Sequence, residues 1–312
     1  MIEADPEEYR AAGESLILAR VRLGVLRLRG PDCRDFLHGL VTADIRRLQP
    51  GQWTPASLLT PKGRLAADFA VYARGDELLT LQRPGATEPL VKGLSKSILL
   101  TQTSLEDASA ETGSLWLAGP QAPAALPVLG FGRPPAGCAS AAWGGLELSA
   151  CRADFWGAGH ALLWRGPSPA GLEEALLAAV AGARRAGEGT LEALRVEAGV
   201  PALGVDTDPD TFPLELGEAG ISFDKGCYLG QETTAKMKNL GHPNRKLVRL
   251  RLEGRAEAGW TLLAGGDAVG RLTSVVGSPR GATGLALVRL AHARTGARLD
   301  VAEGPVQATV VE

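Results

Sequence analysis

The stretch LRLRGP at residues 26–31 returns, slightly altered, as LWLAGP at 115–120. In each, apolar residues alternate as on a half-buried strand, and a Gly-Pro pair stops the run. A helical pattern follows both: DCRDFLHGLV (32–41), where Phe36, Leu37, Leu40 and Val41 share a face, and QAPAALPVLG (121–130). A second pair keeps the same order. LTLQRPG (79–85) and LLWRGP (162–167) read as strands ending in Arg and a Gly/Pro break, and each precedes an amphipathic candidate, TEPLVKGLSKSIL (87–99) and AGLEEALLAAVAGA (170–183). L-x-L-x-G-P alone is a cheap pattern, but two matched pairs in one order favour a duplicated α+β unit.

Between the first strand and its later partner lies SLLTPKGRLAADFAVYARGDELLTL (57–81). Pro61-Lys62-Gly63 and Arg74-Gly75-Asp76 are turn signals, so the segment reads as a three-stranded meander. In its middle strand Leu65, Ala67, Phe69 and Val71 share one face, and Ala66, Asp68, Ala70 and Tyr72 the other. Asp68 is thus a lone carboxylate among small apolar neighbours. It belongs either at a solvent-facing edge or in a cavity with a partner.

Beyond residue 188 the pattern changes. GTLEALRVEAGVP (189–201) reads as a helix capped by Thr190 and ended by Gly199 and Pro201, with Arg195 and Glu197 at its end. The stretch ALGVDTDPDTFPLELGEAGISF (202–223) is long and without periodicity, which marks a functional or disordered loop. Its Phe212, Leu214, Leu216, Ile221 and Phe223 point to a packed one. From about 246, KLVRLRLEG, TLLAGGDAVGRLTSVVGSP, TGLALVRL and PVQATVVE alternate strand and turn, as in a small β-barrel or sandwich.

Composition narrows the function classes. A chain of 312 residues supports two or three subdomains, and a net charge of −2 gives no global attraction to nucleic acid or anionic membrane. The longest apolar run, ALLAAVAGA (175–183), is about half a membrane span. The acidic start MIEADPEEYR does not read as a signal or transit peptide. Cys33, Cys138, Cys151 and Cys227 are scattered without a C-x-x-C pair, which leads to an expectation of reduced thiols in a cytoplasmic compartment. There is no phosphate-loop motif, no G-x-G-x-x-G, no G-x-S-x-G and no clustered histidine, so NTPase, dinucleotide, serine-hydrolase and zinc chemistries find no support.

The stretch DKGCYLGQETTAKMK (224–238) gathers a thiol, cations, two glycines and a Gln-Glu pair. Four of the seven lysines, Lys225, Lys236, Lys238 and Lys246, lie near one another, with Arg245, Arg249 and Arg251 close by. The patch reads either as a solvated loop or as a local attraction for a carboxylate or phosphate. Cys227 follows a lysine and precedes a helix start, and both favour a thiolate.

DKGCYLGQETTAK resembles the K-G-C-Y-x-G-Q-E signature of the YgfZ family, folate-binding proteins related to the glycine cleavage T-protein (an aminomethyltransferase) that support iron–sulfur enzyme maturation. The likeness runs along nearly the whole chain. LLTPKGRLAADFAVY is similar to the family's G-R-x-x-x-D strand, RVEAGVP to R-[IL]-E-x-G-x-P, FPLELG to the P-x-E loop, and VGRLTSVVGSP to a segment of the aminomethyltransferase-type barrel. The resemblance implies an α+β fold: a duplicated folate-binding region over 1–240 and a small C-terminal β-barrel over 241–312. The two halves are about 15–110 and 111–200, and the loop and cysteine motif fill 201–240. It also implies a tetrahydrofolate cofactor, with Asp68 at the place of the T-protein's catalytic carboxylate and Glu197 at the pterin-binding glutamate. Arg195, Lys225, Tyr228, Gln231 and Glu232 would line the same site, with Cys227 reactive at its rim. Lys225 would favour the folate glutamate or bias the thiol.

Departures from the T-protein matter. Its G-[DN]-F-I-G-[KR]-E has Cys227 and Tyr228 in place of the acid and Phe, with Gln231 for the basic residue, and its GYTGE segment finds only ADFWGAGHAL (153–162) here. The resemblance therefore implies a folate-binding accessory protein for iron–sulfur cluster assembly or repair, its partners being folate and iron–sulfur enzymes or cluster carriers. The alternative is a folate-dependent C1-transfer enzyme, an aminomethyltransferase or demethylase. A third reading, tRNA modification, has weak physical support, because the basic patch is small and lacks interleaved aromatics.

Overall fold

The computed structural model describes residues 1–132 and 135–311. The chain starts with β1 (Ile2–Glu3), α1 (Pro6–Glu14) and β2 (Ile17–Arg20). Its first repeat then runs β3 (Gly24–Arg29), α2 (Cys33–Leu40), the meander β4 (Trp53–Leu59), β5 (Leu65–Arg74) and β6 (Glu77–Gln82), α3 (Pro84–Ile98) and β7 (Ser104–Asp107). The second runs β8 (Thr112–Ala118), α4 (Ala122–Ala125), β9 (Cys138–Trp143), β10 (Leu146–Ala153), β11 (Gly159–Arg165), α5 (Leu172–Ala179) and β12 (Arg184–Arg185). The sheet orders match: β4-β5-β6-β3-β7 in one half, and β9-β10-β11-β8-β2-β12 in the other, where β2 is the addition. The duplication read from the two Gly-Pro strands is therefore the architecture. The stops are equivalent in detail, since Gly30 (φ 113°) and Gly119 (φ 107°) occupy the same backbone region that only glycine enters freely. The second helical pattern shortens to α4 plus a 3₁₀ turn over Leu126–Leu129, because Pro127 interrupts the α ladder.

Helices cover the outer face of each sheet and the two inner faces pack on each other. Leu28, Phe36, Leu37, Leu78 and Leu90 form the core beneath α2 and α3, and Leu117, Leu126, Leu162 and Leu176 that beneath α4 and α5. Between the sheets lie Val25, Tyr72, Leu79, Leu81, Cys151 and Leu163. A fully buried Leu there stabilises the sandwich by about 1.5–3 kcal/mol. The alternation of β5 sets this up: Phe69 and Val71 face the helices, and Ala70 and Tyr72 face the other sheet.

The cysteines depart from the expectation of four free thiols. Cys138 and Cys151 are opposite one another in the β9–β10 hairpin and are bonded as a disulfide, while Cys33 and Cys227 are free. Their separation of 13 residues hides the register that brings them together.

Downstream come α6 (Glu188–Glu197), α7 (Pro213–Leu216) and α8 (Gln231–Leu240), then β13 (Arg245–Leu252), β14 (Thr261–Ala264), β15 (Asp267–Ser278), β16 (Gly281–Arg289), β17 (Arg298–Val301) and β18 (Gln307–Val310). The last six strands close a barrel in the order β15-β14-β17-β18-β13-β16, and β1 adds to β15 in parallel. α6 starts at Glu188, two residues before the expected cap, and Thr190 instead donates to Glu8 of α1 at 2.6 Å. Its end is as read, with Gly199 left-handed (φ 72°) just beyond. The 202–223 loop is packed as expected at Leu214, whereas Phe223 surfaces under the Lys238 ammonium. Among the described residues, no helix is long and apolar enough to cross a membrane.

Candidate functional site

Asp68 sits on β5 directly opposite Ser57 of β4, on the inter-sheet face. Both line a cavity of about 290 Å³ closed on the other side by Asp154 and Phe155, which follow β10. The chain after α6 supplies the remaining wall through Val200, Pro201, Leu216 and Ile221. Trp53 stands at the edge of the cavity, stacked on Tyr72 at 5.9 Å between ring centres. The Tyr72 hydroxyl is held by the Arg152 carbonyl, which fixes the stack across the two sheets.

The Asp68 carboxylate has no side-chain hydrogen bond or ion pair among the described residues. Burial raises its pKa, and the nearby Arg83 guanidinium pulls it partly back. Arg83 donates to the Pro201 carbonyl and so ties the end of β6 to the cavity wall. The arrangement is a mostly apolar pocket with one unpartnered acid on its wall and a second acid, Asp154, across from it. Asp154 is bonded to Arg152 at 2.9 Å. Such a pocket suits a flat ring carrying N–H donors.

The other residues singled out by sequence are elsewhere. Arg195 is fully buried, and each of its five N–H groups meets a protein acceptor: Glu192 takes two, and the Val200 carbonyl, Asp206 and Ser274 one each. Asp206, also fully buried, further accepts from Ala202 N–H at 2.8 Å and Ser274 Oγ at 2.7 Å. This is a clamp joining α6 to the barrel, with no donor left for a ligand. Glu197 does not line the cavity either. Its carboxylate accepts from Tyr9 Oη at 2.5 Å and Ser278 Oγ at 2.6 Å, so it joins α1 to the barrel.

Lys225 is buried, and its ammonium donates to the carbonyls of His38, Val41 and Ala43 at 2.5, 2.7 and 2.9 Å. These lie in and just past the last turn of α2, where carbonyls lack helical partners. Burial draws Lys225 down to about 8, with Asp44 opposing. It caps a helix, and its three donors are unavailable to a folate glutamate or to the thiol. Tyr228 packs on Leu59 and Leu65. Gln231 accepts from Tyr228 N–H at 3.3 Å, and Glu232 pairs with Lys236 at the surface. Gly230 meets the Thr60–Gly63 turn so closely that a Cβ would lie 2.6 Å from the Thr60 carbonyl oxygen, which excludes any other residue.

Cys227 remains exposed with a free thiol at the tip of this anchored loop, and it is not part of the cavity wall. Trp53 separates the cavity from an open groove of about 530 Å³ whose far side is formed by Gly220–Asp224, immediately before the loop. Part of the basic patch is engaged in the same way as Lys225: Lys238 pairs with Glu218, Arg245 with Asp208 and Glu215, and Arg249 donates to the Glu197 carbonyl, while Lys246 and Arg251 are exposed. Among the described residues, no three His, Cys, Asp or Glu side chains converge to hold a metal ion.

Residues missed by sequence are Trp53, Asp154, Phe155 and Arg83. The ADFWG stretch held two of them, but nothing in its pattern says that it faces Asp68. Only the pairing of the two sheets does.

Residues 3–224 match the GCVT N-terminal domain family, and residues 244–312 the CAF17 C-terminal beta-barrel domain. The aminomethyltransferase of Mycobacterium leprae is 30% identical over 275 residues, covering 85% of this chain and 74% of its own. That of a Synechococcus species is 29% identical over 326 residues, covering 93% and 84%. The crystal structure of glycine cleavage system aminomethyltransferase T from Bartonella henselae superposes with a TM-score of 0.86 over 98% of this chain and 88% of its own, at 20% identity. That likeness establishes the fold.

Proposed function

Because the chain belongs to the GCVT N-terminal domain family and carries a CAF17-type barrel, we propose that it is a tetrahydrofolate-binding protein of the YgfZ type that supports assembly or repair of iron–sulfur clusters in other cytoplasmic enzymes. The observation that carries the folate part is Asp68, a carboxylate without a side-chain hydrogen bond or ion pair among the described residues, on the wall of an apolar cavity. A carboxylate so placed accepts two N–H donors from a pterin, and such charge-assisted bonds are the strong ones. The volume, at the low end of ligand pockets (~300–1,000 Å³), suits the ring head, with the tail leaving through the mouth beside Trp53. A reduced folate would supply a one-carbon carrier there; the chain supplies the acid, the aromatic edge and the exclusion of water.

The accessory part rests on Cys227. Its thiol is exposed and separate from the folate cavity, which suits contact with a second protein better than chemistry on the bound ring. A single thiol falls short of the four ligands a cluster generally takes, so in this reading the cluster belongs to the client. The test is the activity of an iron–sulfur enzyme in cells lacking this gene. Wild type should restore it and Cys227→Ala should not. Equal restoration by both would make the cysteine structural.

The second reading is folate-dependent C1 transfer, favoured by Asp68 itself and by the aminomethyltransferase relatives. It would prevail if deletion left iron–sulfur enzymes intact and lowered glycine cleavage instead.

A further inference from the structure

β5 carries Asp68 near its start and Arg74 at its end, about 20 Å away at ~3.3 Å per residue. At that far end the two sheets leave a second cleft of about 200 Å³, lined by Arg27, Arg74, Glu147, Ser149 and Arg165 over an apolar floor that includes Val25, Leu79 and Leu163. We propose that this cleft binds a small oxyanion, a phosphate or a carboxylate, through Arg27 and Ser149.

The argument is one of unmet hydrogen bonds. Arg74 and Arg165 have their own acids, Glu147 and Glu111. Arg27 does not. Its Nε is shut off from solvent and has no partner among the described residues. Its terminal nitrogen stands 3.9 Å from Glu77, beyond hydrogen-bond range, and that carboxylate already holds Arg29 at 2.8 Å. Ser149 is 5% exposed, and its hydroxyl makes no hydrogen bond among the described residues. Both groups face the gap between the sheets. Arg27 shares its strand face with Val25, and Ser149 shares its own with Cys151, both members of the inter-sheet core. A guanidinium whose Nε is buried without a partner is costly. The two terminal nitrogens of a guanidinium, with a hydroxyl and an apolar floor in the same cleft, hold an oxyanion bidentately. The volume admits phosphate or a short carboxylate and excludes a nucleotide.

The site is tested by titrating inorganic phosphate, and separately succinate, into the full chain at constant ionic strength while following the arginine Nε–H NMR signals. The expected result is a saturable shift of the Arg27 signal with one or both anions, and whichever saturates names the chemistry. Arg27→Gln should weaken binding by at least about tenfold, Ser149→Ala by about threefold, and Arg27→Lys, which keeps the charge without the fork, to an intermediate extent. If Arg27→Gln fails to fold, Ser149→Ala and Arg27→Lys decide the question. Identical curves for wild type and these variants, or no saturable shift with either anion, would overturn the assignment.

Discussion

The cavity around Asp68 and the loop around Cys227 contain the same kinds of group: a carboxylate, a nearby cation and an aromatic ring. They differ in where the hydrogen bonds go. In the loop, Lys225 is committed to three carbonyls of α2, Gln231 to the Tyr228 amide and Glu232 to Lys236. In the cavity, Asp68 is left without a side-chain hydrogen bond or ion pair among the described residues, even though burial disfavours its charge. A buried polar group that the fold satisfies is scaffold, and one that it leaves open is where a ligand is wanted. By that accounting the loop is a mount for one exposed thiol and the cavity is the proposed binding site.

The comparison can be broken first at its scaffold. Arg195→Met leaves Asp206 charged and fully buried without its main partner, and denaturant unfolding should show a loss of about 3–5 kcal/mol. Retained stability would mean that Arg195 is free to serve a ligand. Lys225→Met should cost about 2–3 kcal/mol by leaving buried carbonyls unpaired at the end of α2, with folate affinity unchanged in the folded fraction. Asp68→Asn should reverse that pattern. Stability should hold or rise, because a buried charge is removed, while folate affinity falls by about 1.5–3 kcal/mol, the worth of a hydrogen bond to a charged group.

A pH scan sharpens the scaffold side. The Arg245 fork holds the Asp208 carboxyl down at about 2. A folded pKa below the unfolded one adds stability that is complete above the unfolded value, near 3.9, and is lost as pH falls towards 2. Acid unfolding of Asp208→Asn should therefore lack that part of the slope between pH 4 and 2. The smallest effect belongs to Glu232→Ala, where loss of an exposed i,i+4 pair should leave both stability and folate binding unchanged within error, as calorimetry can check.

The fold was legible because its signals are local. Leu26–Leu28 and Leu115–Leu117 alternate within six residues of a Gly-Pro stop, and the match between the halves needed no knowledge of distant contacts. Asp68 was legible for the same reason, as an acid among alanines on one strand face. Arg195, Glu197 and Lys225 were not. Their partners Ser274, Tyr9 and His38 lie 79, 188 and 187 residues away in sequence, so nothing near them reveals that their donors and acceptors are already taken. Trp53 and Phe155 were missed because they meet only where the two sheets pack. The disulfide was missed because hairpin register, not cysteine spacing, pairs Cys138 with Cys151.

The most direct test of the division between cavity and loop is a calorimetric titration of tetrahydrofolate into wild type, Asp68→Asn and Cys227→Ser. The account predicts saturable binding to wild type and Cys227→Ser with equal affinity, and binding to Asp68→Asn weakened by at least about tenfold. Loss of affinity in Cys227→Ser with Asp68→Asn unaffected would contradict it and return the folate site to the cysteine loop.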